Sequence, residues 1–174
     1  MLRYITSIVF SILITMSFSV AEVLEDIKIN GNKRISKETI IVLGKIEVNT
    51  DYNDNELNNV LKNLYNSNFF KEIDLSLSNG LLTINLTENP IIENIEITGI
   101  KSKSFKQKIS ESISLKDRMS FTEDQLQKDI TLIKNILKSN GFYFAKIEPT
   151  FLKDDELNSV EIKLNIDEGE RARI

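Results

Sequence analysis

The strongest constraint on this chain is a pair of alternating runs split by one dipeptide. Ile73, Leu75 and Leu77 alternate with Asp74 and Ser76; Leu82, Ile84 and Leu86 alternate with Thr83 and Asn85. A period of two is the pattern of half-buried strands. Between the runs stands Asn79-Gly80, a pair that tolerates the positive φ of a type I′ turn at both positions. The stretch predicts an antiparallel hairpin with one apolar face. Upstream, Asn68 suits the left-handed position that ends a helix, and downstream Pro90 stops the second strand. Helix end, hairpin and Pro make the closing half of a small α/β unit.

A looser copy follows. Asn140-Gly141 is again a helix stop before aromatic residues and a strand, and Val160, Ile162, Leu164 and Ile166 alternate with Glu161, Lys163, Asn165 and Asp167. The openings match as well, Ile27-Lys-Ile-Asn-Gly31 against Ile95-Glu-Ile-Thr-Gly99. Asn68 aligns with Gly141, and Glu88 with Glu168. The spacing between equivalents grows along the chain, as surface loops permit at little entropic cost. The order of parts agrees at four points, which identifies an internal repeat.

Each copy reads β-α-α-β-β. In the first, a strand spans Leu24 to Asn30, Ser36 caps a short helix ending near Gly44, and Ile35 and Ile40 form a hydrophobic staple. Asn53 and Glu56 have capping-box form for a second helix. Its Leu57, Val60, Leu61 and Leu64 make one apolar stripe, with Leu61 at the centre and Asn58, Asn59, Lys62 and Asn66 on the other face. In the second copy Ser104 to Gln107 and Thr122 to Gln125 have capping-box form, and Phe121 and Leu126 make a staple. Leu126, Ile130, Ile133 and Leu137 give the core stripe, and Gly141 ends the helix. Pro149 lies inside the next strand, which predicts an edge or a break there. The expected fold class is α+β, with tandem β-α-α-β-β domains. Each is a three-stranded mixed sheet covered on one face by two helices.

Met1 to Ala21 reads as a leader: Arg3, an apolar run from Tyr4 to Phe18, and Ser19-Val20-Ala21 as the cleavage site. That run is shorter than the ~20 residues of a bilayer span. The expected division is therefore 1–21 signal peptide, 22–90 first domain and 91–168 second domain. Residues 169–174 read as the start of a third unit, so the chain reads as truncated.

Composition narrows the function. The 174 residues carry 22 Lys+Arg against 26 Asp+Glu, with no basic stripe, which argues against nucleic acid as a partner. The chain has no His and no Cys, which removes His-based catalysis, Cys nucleophiles and ordinary zinc sites. Its six glycines have neither GxGxxG nor P-loop spacing. Asp154-Asp155-Glu156 reads as a solvated hairpin tip, and Asn85-Leu-Thr87 as a fortuitous glycosylation sequence. No catalytic, cofactor or metal residues are expected.

With the repeat in hand, the chain resembles the polypeptide-transport-associated (POTRA) domains of the BamA family of outer-membrane β-barrel assembly factors. Ile27 to Ile35 resembles the family's opening strand and Gly-Asn turn. Leu64-Tyr-Asn-Ser-Asn-Phe-Phe-Lys-Glu-Ile73 resembles its helix-to-strand element, with Asn68 where Gly is usual. Thr87 to Gly99 resembles its junction between the first and second domains, with Ile100 departing from the common Asn. The similarity runs from Glu22 to Ile174, and related secretion and translocation transporters share some of these features.

The resemblance implies the periplasmic receptor arm of an outer-membrane assembly factor. Its expected partners are unfolded outer-membrane proteins, accessory lipoproteins and periplasmic chaperones, and it would meet the membrane only through a C-terminal barrel. The arm of a two-partner secretion transporter and a free-standing periplasmic scaffold are the alternatives. The family's second strand lies at a sheet edge, where backbone groups can pair with an extended chain. Here those edges are Lys71 to Leu77 and Phe144 to Phe151. The first is favoured because Pro149 shortens the second. The candidate partner-binding residues are Lys71, Glu72, Ile73, Asp74, Leu75, Ser76 and Leu77, with Lys62 a possible contact on the helix face.

Overall fold

A computed structural model of the chain describes residues 21–172. The expected leader, Ala21 apart, lies outside the described residues. Two compact units are present. The first is built from the residues up to Asn66 with Ile73–Leu86, the second from Ser67–Glu72 with Thr87 onward.

In chain order the elements are β1 (Glu22–Val23), β2 (Asp26–Asn30), α1 (Lys37–Gly44), β3 (Asp51–Tyr52), α2 (Asp54–Asn66), β4 (Phe70–Ser78) and β5 (Leu81–Glu88). There follow β6 (Ile91–Thr98), α3 (Lys103–Ser112), α4 (Glu123–Ser139), β7 (Lys146–Asp154) and β8 (Ser159–Asp167). The expected fold class holds: two three-stranded mixed sheets, ordered β2-β5-β4 and β6-β8-β7. In each, the first strand runs parallel to the last, Ile27 opposite Leu82 and Ile95 opposite Ile162. The hairpin partner is antiparallel, with Pro149 opposite Leu164 in the second sheet. The central strands bury alternate residues: Leu82, Ile84 and Leu86 on β5, and Val160, Ile162, Leu164 and Ile166 on β8.

The turn chemistry follows the sequence. Asn79 and Gly80 have φ of 52° and 74°, and Asn68 ends its helix at φ 61°. Ser36 accepts from the backbone N–H of Thr39. The Asn53 side chain accepts from the N–H of Asn55 at 2.7 Å, and Glu56 returns a bond to the N–H of Asn53. Thr122 accepts from the N–H of Gln125, but the Gln125 side chain donates to Ser114 rather than closing a box.

Three expectations need correction. Ser104 does not cap α3; Ser102 does, accepting from the N–H of Phe105, and Ser104 only shares a hydroxyl bond with it. Both serines precede the apolar positions, so spacing alone could not separate them. Leu61 is only half-buried, whereas Val60 and Leu64 are buried, so the stripe centres one residue away. The first strand begins at Asp26 and not Leu24. Leu24 is taken by another partner, its N–H donating to Thr50 O and its carbonyl accepting from Asn49. That pairing forms the small β1–β3 sheet, Glu22 opposite Tyr52 and Val23 opposite Asp51, which the β-α-α-β-β reading omits.

The same pairing recurs in the second unit. Ile92, the equivalent of Leu24, donates to Met119 O and accepts from the N–H of Arg118. The loop residues Asn49 and Arg118 both have positive φ, 62° and 67°. The second core joins Ile109 of α3, Leu126, Ile130, Ile133 and Leu137 of α4, and the inner faces of β6 and β8.

Candidate partner-binding edges

The strand order leaves β2 and β4 at the edges of the first sheet, and β6 and β7 at those of the second. Every candidate from Lys71 to Leu77 lies on β4. Ile73, Leu75 and Leu77 are half-buried on the core side, and Lys71, Glu72, Asp74 and Ser76 are exposed. Nine residues of extended backbone give β4 the length of an ordinary strand partner. Lys62 is exposed on α2 and forms no part of that row.

The two carboxylates of β4 turn across the sheet face. Asp74 accepts from the Asn85 side chain at 3.4 Å, and Glu72 accepts from the Thr87 hydroxyl at 3.3 Å. Asn85 in turn accepts from Asn30 at 2.8 Å, so one polar ladder crosses all three strands. The second sheet has its counterpart. The Thr98 hydroxyl donates to Asn165 at 3.0 Å, and the Asn165 amide donates to the Glu148 carbonyl at 3.4 Å. Cross-strand pairs of this kind hold register on a solvated face without adding apolar surface.

The second candidate edge is shifted from its expected span. It covers Lys146–Asp154, because Phe144 precedes the strand and the hairpin extends to Asp154. Pro149 sits in mid-strand on this edge, a position that Pro tolerates only at an edge or bulge because it cannot donate. The Asp154 carboxylate accepts from the N–H groups of Glu156 and Leu157, so the acidic tip is a turn device. No cluster of three His, Cys, Asp or Glu suited to a metal occurs among the described residues. No helix among them is long and apolar enough to cross a membrane.

Sequence reasoning missed one buried polar contact. Asp129 lies inside α4 and accepts from the Ser114 N–H at 2.9 Å, the Ser114 hydroxyl at 2.7 Å and the Leu115 N–H at 2.8 Å. It is 1% exposed, and it ties the loop after α3 to α4. A carboxylate within the Leu126–Ile130–Ile133 stripe was the available signal.

Comparison with known proteins agrees with this architecture. The POTRA family, described as surface antigen variable number repeat, matches residues 90–169. The outer membrane protein assembly factor BamA of Neorickettsia risticii is 31% identical over 158 residues, which are 91% of this chain and 21% of that protein. BamA of Neisseria meningitidis is 28% identical over 154 residues, 87% of this chain and 19% of that protein. The chain thus spans about a fifth of the length of these curated relatives. The N-terminal domain of Omp85 from Thermosynechococcus elongatus superimposes with a TM-score of 0.59 at 13% identity, covering 86% of this chain and 64% of that one. At such identity the likeness is one of fold.

Proposed function

Because the POTRA family matches residues 90–169 and BamA proteins are similar along most of the chain, we propose that it is the periplasmic receptor arm of an outer-membrane protein assembly factor. In this reading residues 22–90 and 91–168 are its two POTRA domains, following a cleaved leader. They hold and pass on clients and perform no chemistry of their own. The clients are unfolded outer-membrane proteins in extended form, with accessory lipoproteins as further partners. The observation that carries the reading is the edge position of β4, with Lys71 to Leu77 in one extended row. An edge strand offers a ladder of N–H and C=O groups to any extended chain, whatever its side chains. Clients of diverse sequence can therefore share one site.

A Pro scan over Asp74, Leu75 and Ser76 tests it. Pro removes a donor and obstructs the added strand, so outward-donating positions should lose binding of an extended client peptide while circular dichroism shows a folded chain. Asp74→Ala and Ser76→Ala should bind within about two-fold of the parent, since the backbone makes the contact. Normal binding by every folded Pro variant, with loss in Lys62→Glu, would assign the receptor surface to α2 instead.

A further inference from the structure

Each three-stranded sheet has two edges, and the two are treated differently. On β2, the Asp26 N–H donates to Gly80 O on the β5 side. Successive residues of a strand turn their polar groups to opposite sides, so Ile27 turns its own outward. Both outward groups of Ile27 are occupied. Its N–H donates to Asp26 Oδ1 at 2.7 Å, and its carbonyl accepts from Lys37 Nζ at 2.6 Å. Three residues earlier, before Glu25 and Asp26 both donate to Gly80 O, Leu24 is paired with Asn49 and Thr50.

The equivalent edge of the second sheet is occupied at the corresponding residues. Ile92 is paired with Arg118 and Met119, and the N–H of Ile95 donates to Asp117 Oδ1 at 3.0 Å. Ile27 and Ile95 are equivalent in the repeat, yet their carboxylates come from different places. Asp26 is the strand's own residue, whereas Asp117 arrives from a loop 22 positions away. A contact rebuilt from a different residue at an equivalent place satisfies a requirement of the edge. The carboxylates of β4 point elsewhere: Glu72 and Asp74 are engaged with Thr87 and Asn85 across the sheet face.

We propose that Asp26 with Lys37, and Asp117 in the second unit, are edge guards that confine strand addition to the hairpin edges β4 and β7. The proposal rests on the receptor reading and adds the residues that set its specificity. A guard works because an incoming strand must displace a charge-assisted bond before it gains a neutral one. A receptor for sticky, extended chains needs such closure, since an unguarded second edge would bridge two clients.

The absence of Cys allows a clean test. A single cysteine is placed at Lys28 on β2 or at Ser76 on β4, both exposed. The probe is a ten-residue peptide of alternating Val and Thr with one activated cysteine, and trapped product is measured at low peptide concentration. In the parent chain the peptide should be trapped through Ser76→Cys, with little product through Lys28→Cys. Adding Asp26→Ala and Lys37→Ala should raise trapping through Lys28→Cys about ten-fold, the factor expected when bonds to charged groups no longer compete. Asp26→Asn with Lys37 intact keeps one charged guard and a neutral acceptor, so trapping through Lys28→Cys should rise by no more than about three-fold. No rise through Lys28→Cys in a folded Asp26→Ala, Lys37→Ala chain overturns the guards, whatever β4 does. Absence of trapping through Ser76→Cys contradicts the receptor reading instead, so the two failures are distinct.

Discussion

The α-carbon of Gly99 lies against the carbonyl of Ile166, so close that a Cβ there would fall on the oxygen. Gly31 stands in the same relation to Leu86 in the first unit, and both glycines have positive φ, 85° and 88°. The first strand turns away over the end of the central strand, and only glycine allows the approach. Gly31→Ala and Gly99→Ala should each cost roughly 2–4 kcal/mol, because backbone cannot step aside as a side chain can. Gly80→Ala is the control. It also has positive φ, but its new methyl would meet only the flexible Glu25 side chain, so the cost should be nearer ~1 kcal/mol. Urea denaturation of the three variants checks the order.

The centre of the α2 stripe is tested by a pair of truncations. Leu64 is fully buried, and Leu64→Ala should cost about 2–5 kcal/mol. Leu61 is half-buried, and Leu61→Ala should cost less than ~2 kcal/mol, in proportion to the smaller area it withdraws from water. Equal losses in the two variants would return Leu61 to the centre of the core.

Asp129 supports a loop through three bonds, two of them to backbone N–H groups. Asp129→Ala would leave those donors without their acceptor, at a cost of about 3 kcal/mol or more. Asp129→Asn keeps one oxygen and should lose roughly half as much. Hydrogen exchange should show the change first at Ser114 and Leu115, ahead of the α4 amides.

Much of the fold was legible in the sequence because its signals are local. The Asn79-Gly80 turn, the Asn68 stop and the Ser36, Asn53 and Thr122 caps each depend on residues within a few positions of one another. The alternation along β5 and β8 is equally local. The β1–β3 pairing was not legible, since two-residue strands carry no period and Leu24 reads as the start of β2. The edge closures were hidden for a related reason. Asp117 reaches Ile95 from another loop, and Lys37 reaches Ile27 from the first turn of α1. Nothing in a stretch of alternating residues shows which edge a distant side chain will occupy. The candidate strand could be placed in the sequence, but its asymmetry with the opposite edge depends on contacts between residues far apart in the chain.

The central claim is that clients add to β4 as a strand, and backbone amide exchange measures this most directly. Titration with an extended client peptide should slow exchange at alternate amides between Lys71 and Leu77, by about ten-fold or more once the peptide is near saturation. The amides of β5, already inside the sheet, should change little. Protection of every second amide on β4 is the result this account predicts. Unchanged exchange on β4, with protection instead along α2 around Lys62, would contradict it.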